Sequence, residues 1–136
     1  MPATVFLNSL NSFFNLSRAV LQKTHQEKQS TSTLGNIVGL SHNSVRNRYQ
    51  NPKLWRISEI ELLAMHYHLP TRSCIQMHGT VVELITYLQQ LPSPERRQVE
   101  RLCQIKTVNM AKRLDDDWSL LDLEKLQSGF QQWVIK

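Results

Sequence analysis

Four polar side chains occur at a spacing that places them on one face of a short helix. They are His42, Asn43, Arg46 and Asn47, and the window 28–58 around them contains no Asp or Glu. In the major groove of DNA, Asn can pair with adenine through two hydrogen bonds, and Arg can pair in the same way with guanine. A helix face of this composition predicts base reading. The alternative is an ordinary solvated face of a helical hairpin.

Residues 31–49 predict two short helices joined by a tight turn. The first helix has an apolar stripe of Leu34, Ile37 and Val38. Gly39 ends this helix, because glycine readily adopts the left-handed conformation of a helix C-cap. Ser41 is a good N-cap for the second helix, whose inner face carries Val45 and Tyr49 four residues apart.

This pattern resembles the helix-turn-helix of the phage-repressor (Cro-like, Xre-type) family over about residues 16–70. The matching positions are the small residue Gly35, four before the turn glycine, and the apolar residues Leu34, Leu40 and Val45. The sequence departs from the family in two places. Gly35 stands where the family usually has Ala. Glycine in place of alanine weakens a helix by roughly 1 kcal/mol. Arg48 stands where the family prefers an apolar residue, so we expect Tyr49 to fill that space.

The resemblance implies which residues contact DNA. The family's base-reading positions fall on His42, Asn43 and Asn47, and Arg46 either reads a base or grips phosphate. Side chains at helix starts and in the following loop are expected to contact phosphate. These phosphate candidates are Lys28, Thr31, Ser41, Arg48, Gln50, Asn51, Lys53 and Arg56.

The distribution of charge agrees with a polyanion partner for the first half of the chain. Residues 1–79 contain eight Lys or Arg and three Asp or Glu, whereas residues 80–136 contain eight of each. The whole net charge of +5 therefore lies in the half that carries the predicted helix-turn-helix. Basic side chains bind nucleic acid by neutralising phosphates and releasing counterions.

The helices around this motif are predicted from apolar periodicity and caps. An additional amphipathic helix is expected over residues 3–14, and a separate one over residues 16–26. Asn51-Pro52 ends the second motif helix, since proline cannot continue it. Ser58 and Glu61 form the spacing of a capping box, which predicts a helix from Ser58 to about His68.

The carboxyl half predicts a second helical module. Residues 69–77 are interpreted as a connection, followed by a helix over 80–90. Pro94 favours the start of a helix that continues for about 20 residues, to Leu114. Asp115 to Asp117 can cap a last helix over 118–127, and Gly129 is expected to stop it. We therefore predict a boundary between residues 79 and 80, with residues 80–136 acting in dimerisation or partner binding. The alternative is that these helices complete a single core.

The sequence contains no catalytic constellation that favours an enzyme. It has no Gly-rich phosphate loop and no nucleophile elbow. His66, His68, Cys74 and His78 are zinc-type ligands, but their order matches no familiar zinc spacing. Cys74 and Cys103 are interpreted as reduced thiols of a cytoplasmic protein. No metal and no cofactor is predicted.

Together these features predict an all-α protein with a five-helix-type helix-turn-helix domain in residues 1–79 and a helical extension in residues 80–136. The expected function is a sequence-specific transcriptional regulator, a repressor that binds a palindromic operator in double-stranded DNA as a homodimer. A cytoplasmic protein of bacterial or phage origin is expected, without membrane association. The rival hypothesis is a protein-interaction module, antitoxin-like or polymerase-binding, that uses the helix-turn-helix as a scaffold.

Overall fold

The computed structural model describes residues 2–112 and 118–135, and over these ranges the protein is all-α, as predicted. The helices are α1 (Pro2–Gln26), α2 (Thr31–Val38), α3 (His42–Gln50), α4 (Ile57–His66), α5 (Arg72–Gln90), α6 (Ser93–Cys103), α7 (Thr107–Lys112) and α8 (Leu120–Ile135). A 3-10 turn, Pro52–Leu54, lies between α3 and α4. Within the described residues, no helix has the length and apolarity needed to cross a lipid bilayer.

The predicted helices over 3–14 and 16–26 are one continuous helix, α1. Its buried stripe runs without interruption at helical spacing and consists of Phe6, Leu10, Phe13, Ser17, Val20 and Thr24. The two polar members satisfy their hydroxyls inside the helix, because Ser17 donates to the Phe13 carbonyl at 2.9 Å and Thr24 to the Val20 carbonyl at 3.0 Å. These polar residues are therefore compatible with a buried helix interior, and neither begins a new helix.

Helix α5 corrects the predicted boundary between the two halves of the chain. It begins at Arg72, within the segment interpreted as a connection, and continues to Gln90, so the boundary at 79/80 falls inside a helix. Its buried side chains join the same apolar cluster as those of α1, α4 and α8. The described carboxyl helices thus complete one core that includes the helix-turn-helix, which was the alternative interpretation.

Two helix ends in the carboxyl half differ from the prediction. The helix after Pro92 ends at Cys103, because Gln104 adopts a left-handed conformation with φ of 59°. Helix α8 continues through Gly129 to Ile135, so this glycine does not stop it. The expected capping by Asp115 to Asp117 lies outside the described residues.

Helix α4 begins one residue earlier than predicted, and Ser58 is not its cap. The backbone N–H of Arg56 donates to Glu59 Oε1 at 3.0 Å, so the N-terminal acid that matters is Glu59 and not Glu61. Glu61 instead contacts His78 of α5, with Oε2 and Nε2 separated by 3.2 Å.

Candidate nucleic-acid interface

The turn between α2 and α3 has the two predicted caps, Gly39 before it and Ser41 after it. Ser30 Oγ accepts a hydrogen bond from the Thr33 N–H at the start of α2, and Gly39 ends this helix with φ of 74°. Ser41 Oγ accepts from the Ser44 N–H at the start of α3. Because both ends of the turn are capped, the direction of α3 relative to α2 is set by local hydrogen bonds.

Gly35 is explained by the path of the chain as it leaves the turn. The Leu40 N–H donates to the Gly35 carbonyl at 3.0 Å, so the Leu40 peptide crosses directly over this residue. A Cβ atom at position 35 would lie 2.6 Å from the Leu40 carbonyl oxygen. Glycine has a lower helix propensity than alanine. It is nevertheless required at position 35, because the backbone at Leu40 leaves no room for a side chain.

The four base-reading candidates share the exposed face of α3. We call His42, Asn43, Arg46 and Asn47 the reading face; all four side chains are exposed. The opposite side of the helix is held in the core by Val45, which is fully buried. The helix therefore presents amide, imidazole and guanidinium groups to solvent and contributes no carboxylate to that surface.

A hydrogen bond connects the first residue of α2 to the first residue of α3. Thr31 Oγ1 and His42 Nδ1 lie 2.6 Å apart. The Thr31 side chain is half-buried, and the contact restricts the orientation of the imidazole. Two residues predicted to contact DNA separately, one at phosphate and one at a base, thus form one unit at the edge of the reading face.

Arg48 is a correction, because the structure removes it from the phosphate candidates. Its side chain is 9% exposed, and its Nε and Nη2 atoms lie 2.8 and 3.0 Å from the two carboxylate oxygens of Glu59 on α4. The guanidinium also donates to the Ser44 carbonyl and lies 5.8 Å from the centre of the Trp55 ring. Arg48 therefore joins α3 to α4 and to the loop, with its charge compensated internally.

Tyr49 does not fill the interior position beside Arg48, so the expectation for this residue is wrong. It is half-buried at the edge of the core, and its hydroxyl donates to the Gln29 carbonyl at 2.9 Å. Burial, with a smaller contribution from Tyr67, raises the pKa of Tyr49 above its usual value. The tyrosine therefore stays neutral at physiological pH and ties the end of α3 to the connection before α2.

The remaining phosphate candidates have different environments. All six are exposed, namely Lys28, Ser41, Gln50, Asn51, Lys53 and Arg56. Ser41 is exposed, but its hydroxyl is engaged in capping α3, where it also donates to Ser44 Oγ. Asn51 Oδ1 accepts from the Lys53 N–H and so shapes the turn that presents the lysine. Exposed cations therefore occur both before α2 and in the 50–56 loop after α3.

The carboxyl end of the chain holds the 50–56 loop in place, which the sequence did not indicate. The Leu120 N–H donates to the Trp55 carbonyl at 2.8 Å, and the Ile57 N–H donates to the Trp118 carbonyl at 3.0 Å. These bonds form an isolated antiparallel bridge between Arg56 and Ser119. The sequence shows both tryptophans as apolar residues. It does not show that their backbones pair, because pairing between distant segments leaves no periodic pattern.

In the described part of the chain, the two cysteines are core residues and do not belong to a cluster of metal-type ligands. Cys74 and Cys103 are buried, and burial raises the pKa of each thiol to about 12, with a smaller contribution from Glu61 at Cys74. Both are therefore protonated thiols at neutral pH. Among residues 2–112 and 118–135, no group of three or more His, Cys, Asp or Glu side chains is placed to hold a metal ion.

Comparison of the chain with protein-family models, curated proteins and solved structures gives no match.

Proposed function

We propose that this protein is a sequence-specific DNA-binding regulator that inserts α3 into the major groove. The observation that carries the proposal is the acid-free reading face on a short, exposed helix that is anchored from behind by Val45 and Arg48. A reading helix must be held rigidly, because hydrogen bonds to base edges tolerate only small errors of position. The buried Arg48–Glu59 pair supplies this anchor without using the exposed face.

The residues of the reading face have distinct roles in this proposal. Asn43 and Asn47 can each pair with the N6 and N7 edge of adenine, and Arg46 can pair with guanine or bind phosphate. His42 is oriented by Thr31 and reads a base at the edge of the groove. Thr31 is the first residue of α2, so its hydroxyl lies at a helix start, where phosphate binds readily. Lys28, Gln50, Asn51, Lys53 and Arg56 position the protein on the backbone and carry no sequence preference.

A second copy of the chain would double the contact surface, since one reading helix covers only a few base pairs. The outer face of α5 is the surface that suits such pairing. It carries Ile75 and Val82, which are 64% and 50% exposed, on either side of Gly79, where a Cβ would meet no atom within 4 Å. Exposed Arg72 and Glu83 lie at its two ends. In an antiparallel pair of helices, the basic end of each copy would face the acidic end of the other.

This surface lies only partly within residues 80–136, where dimerisation or partner binding was predicted. Of the large apolar side chains that the structure describes, those of α6 and α8 are mostly buried in the shared core, whereas Val108 on α7 is exposed. The rival hypothesis of a partner-binding carboxyl module therefore has less support than the sequence suggested. Repression by such a homodimer would follow from exclusion of polymerase from the operator, and activation is equally compatible with the reading face.

Replacing Arg46 by Gln tests the proposed DNA contact. We expect binding to a duplex to weaken by about 1–3 kcal/mol if Arg46 reads guanine, because a bidentate contact is lost. A phosphate contact would instead lower the slope of affinity against salt by about one. The measurement is fluorescence anisotropy of a labelled duplex as a function of salt concentration.

Arg101→Gln is the matched control, because Arg101 is an exposed arginine of α6 that changes the net charge equally. Equal effects of the two substitutions would show that only overall charge matters and would contradict a specific role for α3. Wild-type binding that does not weaken as salt rises would contradict DNA binding itself.

A further inference from the structure

The 50–56 loop carries a cation that is paired with an acid from the far end of the chain. Lys53 Nζ lies 3.1 Å from Glu124 Oε2, and both side chains are about half-exposed. Lys53 follows the cap made by Asn51 and is one of the exposed phosphate candidates. The ion pair therefore places a carboxylate at a position where the proposed function requires a DNA phosphate.

The position of Glu124 is set by the fold. Helix α8 begins at Leu120, whose N–H is hydrogen-bonded to the Trp55 carbonyl of the loop. Leu120 and Leu123 are buried beside Glu124, which fixes the helix against the core. The backbone bridge between the loop and α8 therefore keeps Glu124 within reach of Lys53.

A carboxylate and a phosphate oxygen compete for the same lysine. Both accept charge-assisted hydrogen bonds from the ammonium group, and both are negatively charged, so a phosphate arriving at Lys53 is also repelled by Glu124. Binding must either separate the ion pair or hold two anions close together. Each route reduces the affinity that Lys53 would otherwise contribute.

We propose that Glu124 is an internal competitor of DNA for Lys53, so that the carboxyl-terminal helix lowers the affinity of the helix-turn-helix for phosphate. This inference rests on the proposed function, because it requires that Lys53 meet DNA. It gives α8 a role beyond completing the core: the helix acts as an autoinhibitory element built into the DNA-binding surface. The expected effect is modest, because the ion pair is partly exposed and is screened by salt.

The test is a double-mutant cycle of Glu124→Gln and Lys53→Ala, measured as affinity for a duplex at low salt. Glu124→Gln is expected to tighten binding about 1.5- to 5-fold, the range for an exposed ion pair. In the Lys53→Ala background this gain should fall to the gain that Glu95→Gln gives, since no lysine remains to be released. Glu95→Gln, a change at an exposed acid in the first turn of α6, is the control for net charge.

The outcomes separate this inference from the proposed function. If Glu124→Gln does not tighten binding, if Glu95→Gln tightens it equally, or if the gain persists without Lys53, Glu124 is not a competitor. In each of these cases, the proposed function is still supported if wild-type binding weakens as salt rises and if Arg46→Gln reduces the affinity more than Arg101→Gln does. Only the inference about Glu124 is then wrong. If wild type does not bind duplex DNA, both the inference and the proposed function are wrong.

Discussion

Replacing Glu59 by Leu is expected to lower the free energy of unfolding by about 3–5 kcal/mol, because the charge of Arg48 would remain buried without its partner. The two carboxylate oxygens of Glu59 accept from Arg48 at 2.8 and 3.0 Å, and one of them also accepts from the Arg56 N–H at 3.0 Å. One side chain thus neutralises a buried guanidinium and caps α4. The loss of unfolding free energy can be measured by urea denaturation, from the shift of the midpoint when the m-value is unchanged.

The double variant Arg48→Met/Glu59→Leu provides the control for this prediction. It removes both charges and keeps apolar volume, so most of the stability should return, apart from about 0.5–2 kcal/mol for the lost cap of α4. The double variant should also bind DNA, because the reading face is unchanged. A cost below about 1 kcal/mol for Glu59→Leu would mean that the pair is solvated. If a stable double variant lost DNA binding, the result would indicate that Arg48 contacts phosphate after all.

Gly129→Ala is expected to destabilise the protein by about 1–3 kcal/mol or more, although alanine normally favours a helix interior. A Cβ atom at position 129 would lie 2.7 Å from the backbone nitrogen of Cys103 and 2.8 Å from its Cα, and would also overlap its Sγ. Because two of these atoms belong to the backbone, a change of rotamer cannot relieve the overlap. Helices α6 and α8 must therefore separate where Cys103 crosses Gly129.

Gly79→Ala is the matched control, since it makes the same substitution in a helix interior with open space around it. A Cβ there meets no atom of the same chain within 4 Å, so within one subunit only helix propensity acts, and the subunit should gain about 0.5–1 kcal/mol. Thermal unfolding of the two variants should give shifts of opposite sign. A stabilising effect of Gly129→Ala would contradict the close packing of α6 on α8.

The α2–turn–α3 unit could be predicted because its information is local. Ser41 and Gly39 act through hydrogen bonds and backbone conformation within a few residues, and Val45 needs only the helical period to face the core. The exposed placement of Asn43 and Asn47 follows from the same period. Features of this kind depend on neighbouring residues and are present in a single sequence.

Arg48 could not be placed from the sequence, because its position depends on a residue eleven positions away on another helix. An arginine at an apolar position and two acids on the next helix, Glu59 and Glu61, were visible in the sequence, but the sequence does not show which acid pairs with the arginine. Gly129 was misinterpreted for a similar reason: a glycine that permits close helix packing looks the same as one that ends a helix. The bridge between Trp55 and Leu120 joins segments that no local pattern connects.

The most direct test of DNA reading is selection of bound duplexes from a random pool at near-physiological salt, with wild type and Asn43→Ala in parallel. We expect wild type to enrich a palindrome with half-sites about one helical turn apart, the spacing of two symmetric reading helices. The variant should relax the preference at one position of each half-site, at a cost of about 1–3 kcal/mol there. No enrichment, or the same consensus from both proteins, would contradict the account: the exposed face of α3 would then not read bases.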